Sequence, residues 1–232
     1  MSISAEKRHR VLIKFMDEEY VESFINEGLI FMNNIQFFRE YEDSDPALRG
    51  DAKEGLRASY LPENITLELN GRTLTALVGK VELRESHQNE TNIYSMTIVS
   101  DADILDAGEK GLYLSEDFNK FGNKAVFIGG SDINIFWNRV TEAINNNEDL
   151  FTLEENVAKK VTYVDASEHH SELNVFTKFS EYKWQHEWRV ALKQISSSGP
   201  LELRVGNLSD IAHITGTKSL IQQPLKLVQN NL

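Results

Sequence analysis

The sequence contains no cysteine, and that absence alone removes several kinds of chemistry. Disulfide frameworks, thiolate nucleophiles and cysteine-based zinc sites are excluded. At 232 residues the chain can bury a sizeable core without such staples, and nothing demands a second domain. Long apolar runs are missing too. No stretch approaches the roughly 20 residues of a membrane span, and no apolar signal segment follows the charged residues 6–10. The expectation is a cytoplasmic protein with no membrane partner, in which the Asn-x-Ser/Thr matches at Asn64, Asn89 and Asn207 arise by chance. Positive charge is in short supply as well: 24 Lys and Arg stand against 36 Asp and Glu, a net charge of −12. This argues against general binding to nucleic-acid backbones, although a local basic cleft can sit inside an acidic shell.

Several common motifs are absent. Without G-x-S-x-G there is no nucleophile elbow for a serine hydrolase. Gly129-Gly130 lies between an apparent strand and a helix, but neither G-x-G-x-x-G nor the Walker pattern accompanies it, so a simple turn is the reading. His169 and His170 are adjacent and so point apart, and no third ligand lies at a suitable spacing; no metal site is expected.

What is present concentrates in residues 182–192, YKWQHEWRVAL, which hold two of the three tryptophans, four ionisable side chains and an amide. Read as a strand, with side chains alternating, it puts Gln185, Glu187 and Arg189 on one face and Trp184, His186, Trp188 and Val190 on the other. Such a polar face is ordinary on the solvent side of a sheet, and it also describes the wall of a cleft.

The remaining chain supplies the frame. Residues 11–15 read as a buried strand whose one charge, Lys14, needs a partner or a cleft. Asp17 is positioned to cap a short helix, Gly28 to end it, and residues 29–32 to form a second strand. Residues 36–41, with Phe38 and Arg39, suggest a half-buried turn of helix. Residues 42–55 are polar and turn-rich, a loop expected over the mouth of the cleft that presents Arg49, Asp51 or Glu54, unless it is only a solvated connection. Asn70-Gly71 between two alternating runs marks a hairpin. Further strands are expected near residues 93–99, 124–128, 160–164 and 201–205, and helices near 133–144, 173–179 and 209. Together these imply one α+β domain over residues 1–232, with a mixed, mostly antiparallel central sheet in which strand 10–15 neighbours strand 186–193.

The motifs carry a resemblance. Lys14-Phe15, Gly28, Phe38-Arg39, Arg49-Gly-Asp-Ala-Lys-Glu-Gly55 and Tyr182-x-x-Gln-x-Glu-Trp-Arg189 resemble a family of bacterial and phage proteins associated with defence or toxin systems. The order of the elements is also similar, more distantly, to ADP-ribosyltransferase-like toxins. These have a basic residue on the first strand and a late Q-x-E or E-x-E glutamate. The resemblance implies an ADP-ribosyltransferase-like fold and NAD as substrate. Glu187 would stabilise the ribosyl cation and Gln185 would orient the acceptor. Lys14 would replace the usual Arg or His in holding the dinucleotide, Arg39 and Arg49 would meet phosphates, and Phe31 or Phe38 would stack on nicotinamide. Asp51, Glu54, Tyr182 and Arg189 would complete the binding site. Partners would be a nucleotide and a macromolecular acceptor or an antitoxin. The alternative from a different class is a non-catalytic module that binds a nucleotide or a partner protein, with Glu187 in a structural ion pair.

Overall fold

A computed structural model describes residues 8–41, 51–75, 77–151 and 157–228. In chain order the strands are β1 (His9–Met16), β2 (Leu29–Asn34), β3 (Leu56–Tyr60), β4 (Leu67–Leu69), β5 (Arg72–Leu74), β6 (Val81–Arg84), β7 (Asn92–Ser100) and β8 (Lys124–Gly129). They continue as β9 (Leu150–Phe151), β10 (Ala158–Lys160), β11 (Thr162–Val164), β12 (Ser171–Glu172), β13 (Thr177–Phe179), β14 (Glu187–Gln194), β15 (Leu201–Arg204) and β16 (His213–Gly216). The α-helices are α1 (Val21–Asn26), α2 (Ile35–Glu40), α3 (Asp101–Asp106), α4 (Asp132–Asn145) and α5 (Thr217–Ile221).

β7 is buried at almost every position, which suits a strand covered on both faces and flanked on both edges. The main sheet is built around it in the order β10-β14-β7-β1-β8-β16, with β2 also on β7, β15 on β2 and β9 on β14. Its pairings are antiparallel. The central sheet is therefore not mixed: the parallel pair, β11 with β13, lies outside it. Nor are β1 and β14 neighbours in the sheet. Thr97 of β7 sits between them, opposite Ile13 on one side and Glu187 on the other.

Both faces of the sheet are covered. Phe136, Val140 and Ile144 of α4 pack with Leu12, Met96, Ile98, Trp188 and Val190 on one side. On the other, Ile13, Phe15, Val99 and Ala125 meet Ile104, Phe118 and Ile221. Gly28 follows α1 at φ +62, as its spacing predicts; a Cβ there would lie 2.1 Å from the Gly206 carbonyl oxygen, so only glycine fits. Asp17 occupies a cap position ahead of Glu18–Tyr20 but makes no capping hydrogen bond. α2 is capped instead by Asn34, whose side chain accepts from Phe37 N at 2.8 Å.

Other expectations are corrected. The Asn70-Gly71 hairpin forms, with positive φ at both residues, but its three-residue strands are wholly exposed and make a separate two-stranded sheet. Residues 173–179 are not helical. The Asn174 side chain accepts from Phe176 N and Thr177 Oγ1, closing a local turn that delivers the chain into β13. Asn207 does the same with Ser209, giving a turn where a helix was expected. No helix among the described residues is long and apolar enough to cross a membrane.

Candidate functional site

The site begins as a gap in the main sheet. β1 is in register with β7 from His9↔Ser100 to Ile13↔Thr97, whereas β2 meets β7 at Asn33↔Ile93 and Asn34↔Asn92. Tyr94, Ser95 and Met96 fall between the two registers, because β1 leaves β7 and stays with β8 as far as Met16↔Lys124. Backbone groups left without a ladder partner must be satisfied in another way. Lys14 supplies one answer: its ammonium donates to the Ser95 carbonyl at 2.8 Å and lies 4.3 Å from the centre of the Tyr94 ring. The one charge within residues 11–15 thus bridges the split. On the β2 side, Asn92 Nδ2 donates to the Met32 and Gly199 carbonyls at 3.1 and 2.9 Å.

A cavity of about 400 Å³ opens at this split. The end of β1, Phe31 and Asn33 of β2, the middle of β7, and Glu187 and Arg189 of β14 form its walls. Phe37, Phe38, Tyr20 and Tyr41 add rings. Tyr20 is 56% exposed, Phe31 49% and Phe37 40%. Rings left this open at a cavity are apolar surface that a ligand can cover.

One wall is charged and buried. Arg189, only 1% exposed, donates through Nη1 and Nη2 to the two Glu54 carboxylate oxygens at 2.8 and 3.0 Å, and through Nε to Glu187 Oε1 at 2.7 Å. Its Nη1 also donates to the Val175 carbonyl. Ser95 Oγ donates to Glu187 Oε1. Lys178 reaches in from β13 and donates to Glu187 Oε2 and Gln185 Oε1, both at 3.2 Å, with its ammonium 4.3 Å from the centre of the Tyr182 ring. Two carboxylates and two cations balance. Burial alone would raise the Glu187 pKa, but the charges of Arg189 and Lys178 and the Ser95 hydrogen bond outweigh it and hold the group down at about 2. Burial would likewise lower Arg189, yet Glu187 and Glu54 raise it above its ordinary value. Glu187 is therefore ionised throughout the physiological range, with three donors on its roughly four acceptor positions.

The local fold that sets these side chains differs from the alternating strand expected. Ser180–Gln185 is a 3-10 turn, His186 is left-handed at φ 44 and ψ 47, and β14 starts only at Glu187. Trp184 packs on Phe118 and Phe121 with the second core, which draws the segment off the line of the strand. Trp188 faces the opposite core, edge-on to Trp137. Gln185, Glu187 and Arg189 nevertheless line the same cavity.

Lys14, Phe31, Phe38 and Glu54 line it with them. Three other expected residues do not. Arg39 is engaged by Asn89 Oδ1 at 2.6 Å. Tyr182 is buried beneath Lys178. Asp51 is 3% exposed rather than presented by a solvated loop, and burial, followed by the charge of Glu54, pushes its pKa up to about 6. Arg49, with residues 42–50, lies outside the described residues. Sequence reading missed Lys178 and Ser95. The helix expected over residues 173–179 concealed Lys178, and Ser95 stands in a run with Thr97 two positions on, so neither carried the lone-charge signal of Lys14. Among the described residues no group of three His, Asp or Glu side chains is arranged to hold a metal. Compared with protein-family models, with curated proteins and with solved structures, the chain finds no match.

Proposed function

We propose that the cavity binds NAD as a substrate and that Glu187 is the catalytic carboxylate of an ADP-ribosyltransferase acting in a bacterial or phage defence or toxin setting. One observation carries this reading: Lys14 of the first strand, the rings of Phe31 and Phe38, and the Gln185-x-Glu187 pair all converge on one cavity at a split in the sheet. Lys14, Phe38, Gln185 and Glu187 belong to the motifs on which the resemblance rests, Phe31 has a role that the resemblance implies, and the two groups of segments lie more than 140 positions apart in the chain.

The chemistry asks little of proton transfer. The bond between the ribose C1′ and the nicotinamide nitrogen breaks, and its electron pair leaves with a neutral nicotinamide. An acceptor nucleophile then bonds to C1′ and gives up its proton. Positive charge develops on the ribose on the way, and an ionised, immobilised carboxylate stabilises it. Glu187, with a pKa held at about 2, is in the required state, and Arg189, Ser95 and Lys178 fix its orientation. The open rings would stack on the bases or on nicotinamide.

The second reading is a non-catalytic nucleotide-binding module, and a specific observation favours it. Glu187 and Glu54 are matched by Arg189 and Lys178 within one buried cluster, so the field that would stabilise a cation is partly cancelled. Melting curves with added NAD, run beside assays of NAD hydrolysis and ADP-ribose transfer, separate the two. Ligand at 100 times its Kd stabilises the native state by about 2.7 kcal/mol. Transferase action requires turnover that falls on the order of 10²-fold or more in Glu187→Gln, per mole of folded protein, with NAD affinity little changed. A thermal shift without turnover supports the module. A protein that shows neither removes NAD from both readings.

A further inference from the structure

Two non-glycine residues among those described have positive φ, Asn70 and His186. Asn70 sits in an Asn-Gly hairpin turn, where that conformation is expected. His186 does not. It is the corner between the 3-10 turn Ser180–Gln185 and β14, and L side chains adopt its left-handed backbone only where the surroundings enforce it. Residues on either side, Gln185 and Glu187, both line the cavity.

The corner is tied at several points. His186 N donates to the Lys183 carbonyl at 3.2 Å, and its own carbonyl accepts from Ile98 N at 2.7 Å. The Gln185 carbonyl accepts from Thr97 Oγ1 at 3.0 Å. The imidazole Nδ1 approaches Asp103 Oδ1 at 3.5 Å, within ion-pair range. Asp103 is itself an anchored carboxylate: Ser100 N donates to it at 2.7 Å, and Lys160 Nζ donates to both its oxygens at 3.0 and 2.9 Å. Burial would raise the Asp103 pKa, but contacts from His186, Ser100 and Lys160 hold it well below the usual carboxylate range.

We propose that His186 is a positioning residue for the cavity: its ring, held by Asp103, maintains the left-handed corner that brings Gln185 and Glu187 to the same wall. The inference uses the site proposed above but not its ligand. It predicts two separable contributions, backbone conformation and ring tether. His186→Gly accepts the left-handed conformation without strain yet lacks the tether, whereas His186→Asn accepts it and keeps a short side chain able to donate to Asp103.

The experiment is heteronuclear NMR on the full chain, without ligand. The wild type should show His186 protonated at Nδ1, as the contact with Asp103 requires. His186→Gly should move the side-chain amide of Gln185 and the backbone amides of Glu187 and Thr97, and His186→Asn should return them most of the way. With NAD present, the glycine variant should bind or turn over NAD roughly tenfold less well, with the asparagine variant restored. A wild-type ring protonated only at Nε2 overturns the proposal, a result that needs no variant to fold. So does a folded glycine variant whose Gln185 and Glu187 signals stay in place, or an asparagine variant that fails to restore them. If the wild type ignores NAD while the signals behave as stated, the assignment of NAD falls and the role of His186 stands.

Discussion

Replacing Asp51 by Asn should make the protein more stable at neutral pH, because of where this carboxyl sits. It is buried next to Glu54, and its Oδ1 accepts from Lys53 N at 2.8 Å. Burial first, and the Glu54 charge second, raise its pKa from 3.8 to about 6 against the smaller pull of Lys178 and Arg189. Between about pH 4 and pH 6 the folded state keeps a proton that the unfolded chain has released, so stability falls as pH rises through this window. The associated stability is complete below about pH 4 and lost above about pH 6. A shift of roughly two units, at about 1.36 kcal/mol each, sets the loss at about 3 kcal/mol. Asn keeps the acceptor for Lys53 N and has no charge to desolvate. Denaturant midpoints measured across pH should show Asp51→Asn ahead of the wild type by up to about 3 kcal/mol at neutral pH, with the two converging near pH 4. A variant that is less stable at neutral pH would refute the reasoning. It would mean that Lys178 and Arg189 outweigh burial and the Glu54 charge, so that the ionised Asp51 stabilises the buried cluster.

Two further outcomes follow from the same geometry. Arg189→Met leaves Glu54 and Glu187 buried with Lys178 alone for compensation, so denaturant midpoints should drop by about 3–5 kcal/mol; a loss under about 1 kcal/mol would mean that the pairing contributes little. Phe31→Ala removes a half-exposed ring at the cavity and should leave stability within about 1 kcal/mol while weakening nucleotide binding by about 1–3 kcal/mol, read by calorimetric titration; unchanged affinity would take the ring out of the site.

Much of the frame was legible because periodicity and punctuation are local. β1, β2, β7, β8 and α4 follow from apolar runs and helical spacing, and the Gly28 stop and the Asn70-Gly71 turn follow from backbone sterics. Lys14, the lone charge in an apolar run, called for a partner or a cleft from its sequence neighbours alone. What could not be read is non-local. Whether β1 borders β14 or lies one strand away depends on where β7 inserts, and no local pattern encodes that order. The burial of Asp51 and Glu54 was hidden for a related reason: a polar, turn-rich stretch reads as solvated unless its cationic partner is known, and Arg189 lies 135 positions from Glu54. The 3-10 turn before β14 defeated a strand assignment because Trp184 packs with Phe118 and Phe121, residues distant in the chain.

The split in the sheet explains why structural and candidate functional roles fall on the same side chains. When β1 leaves β7 after Ile13, the Ser95 edge is opened and polar groups must enter the interior to satisfy it, which brings in Lys14. Ser95 then offers its hydroxyl to Glu187, and a buried carboxylate requires cations, which Arg189 and Lys178 provide. Arg189 in turn needs more negative charge than Glu187 supplies, and Glu54 provides it through two hydrogen bonds. Each step follows from satisfying the group before it, so the cluster would exist in a protein that bound nothing. The rings do not follow from that sequence of needs. Tyr20, Phe31 and Phe37 stand open beside the ionised wall for no need of that kind, and they are the surface that the proposed nucleotide would cover.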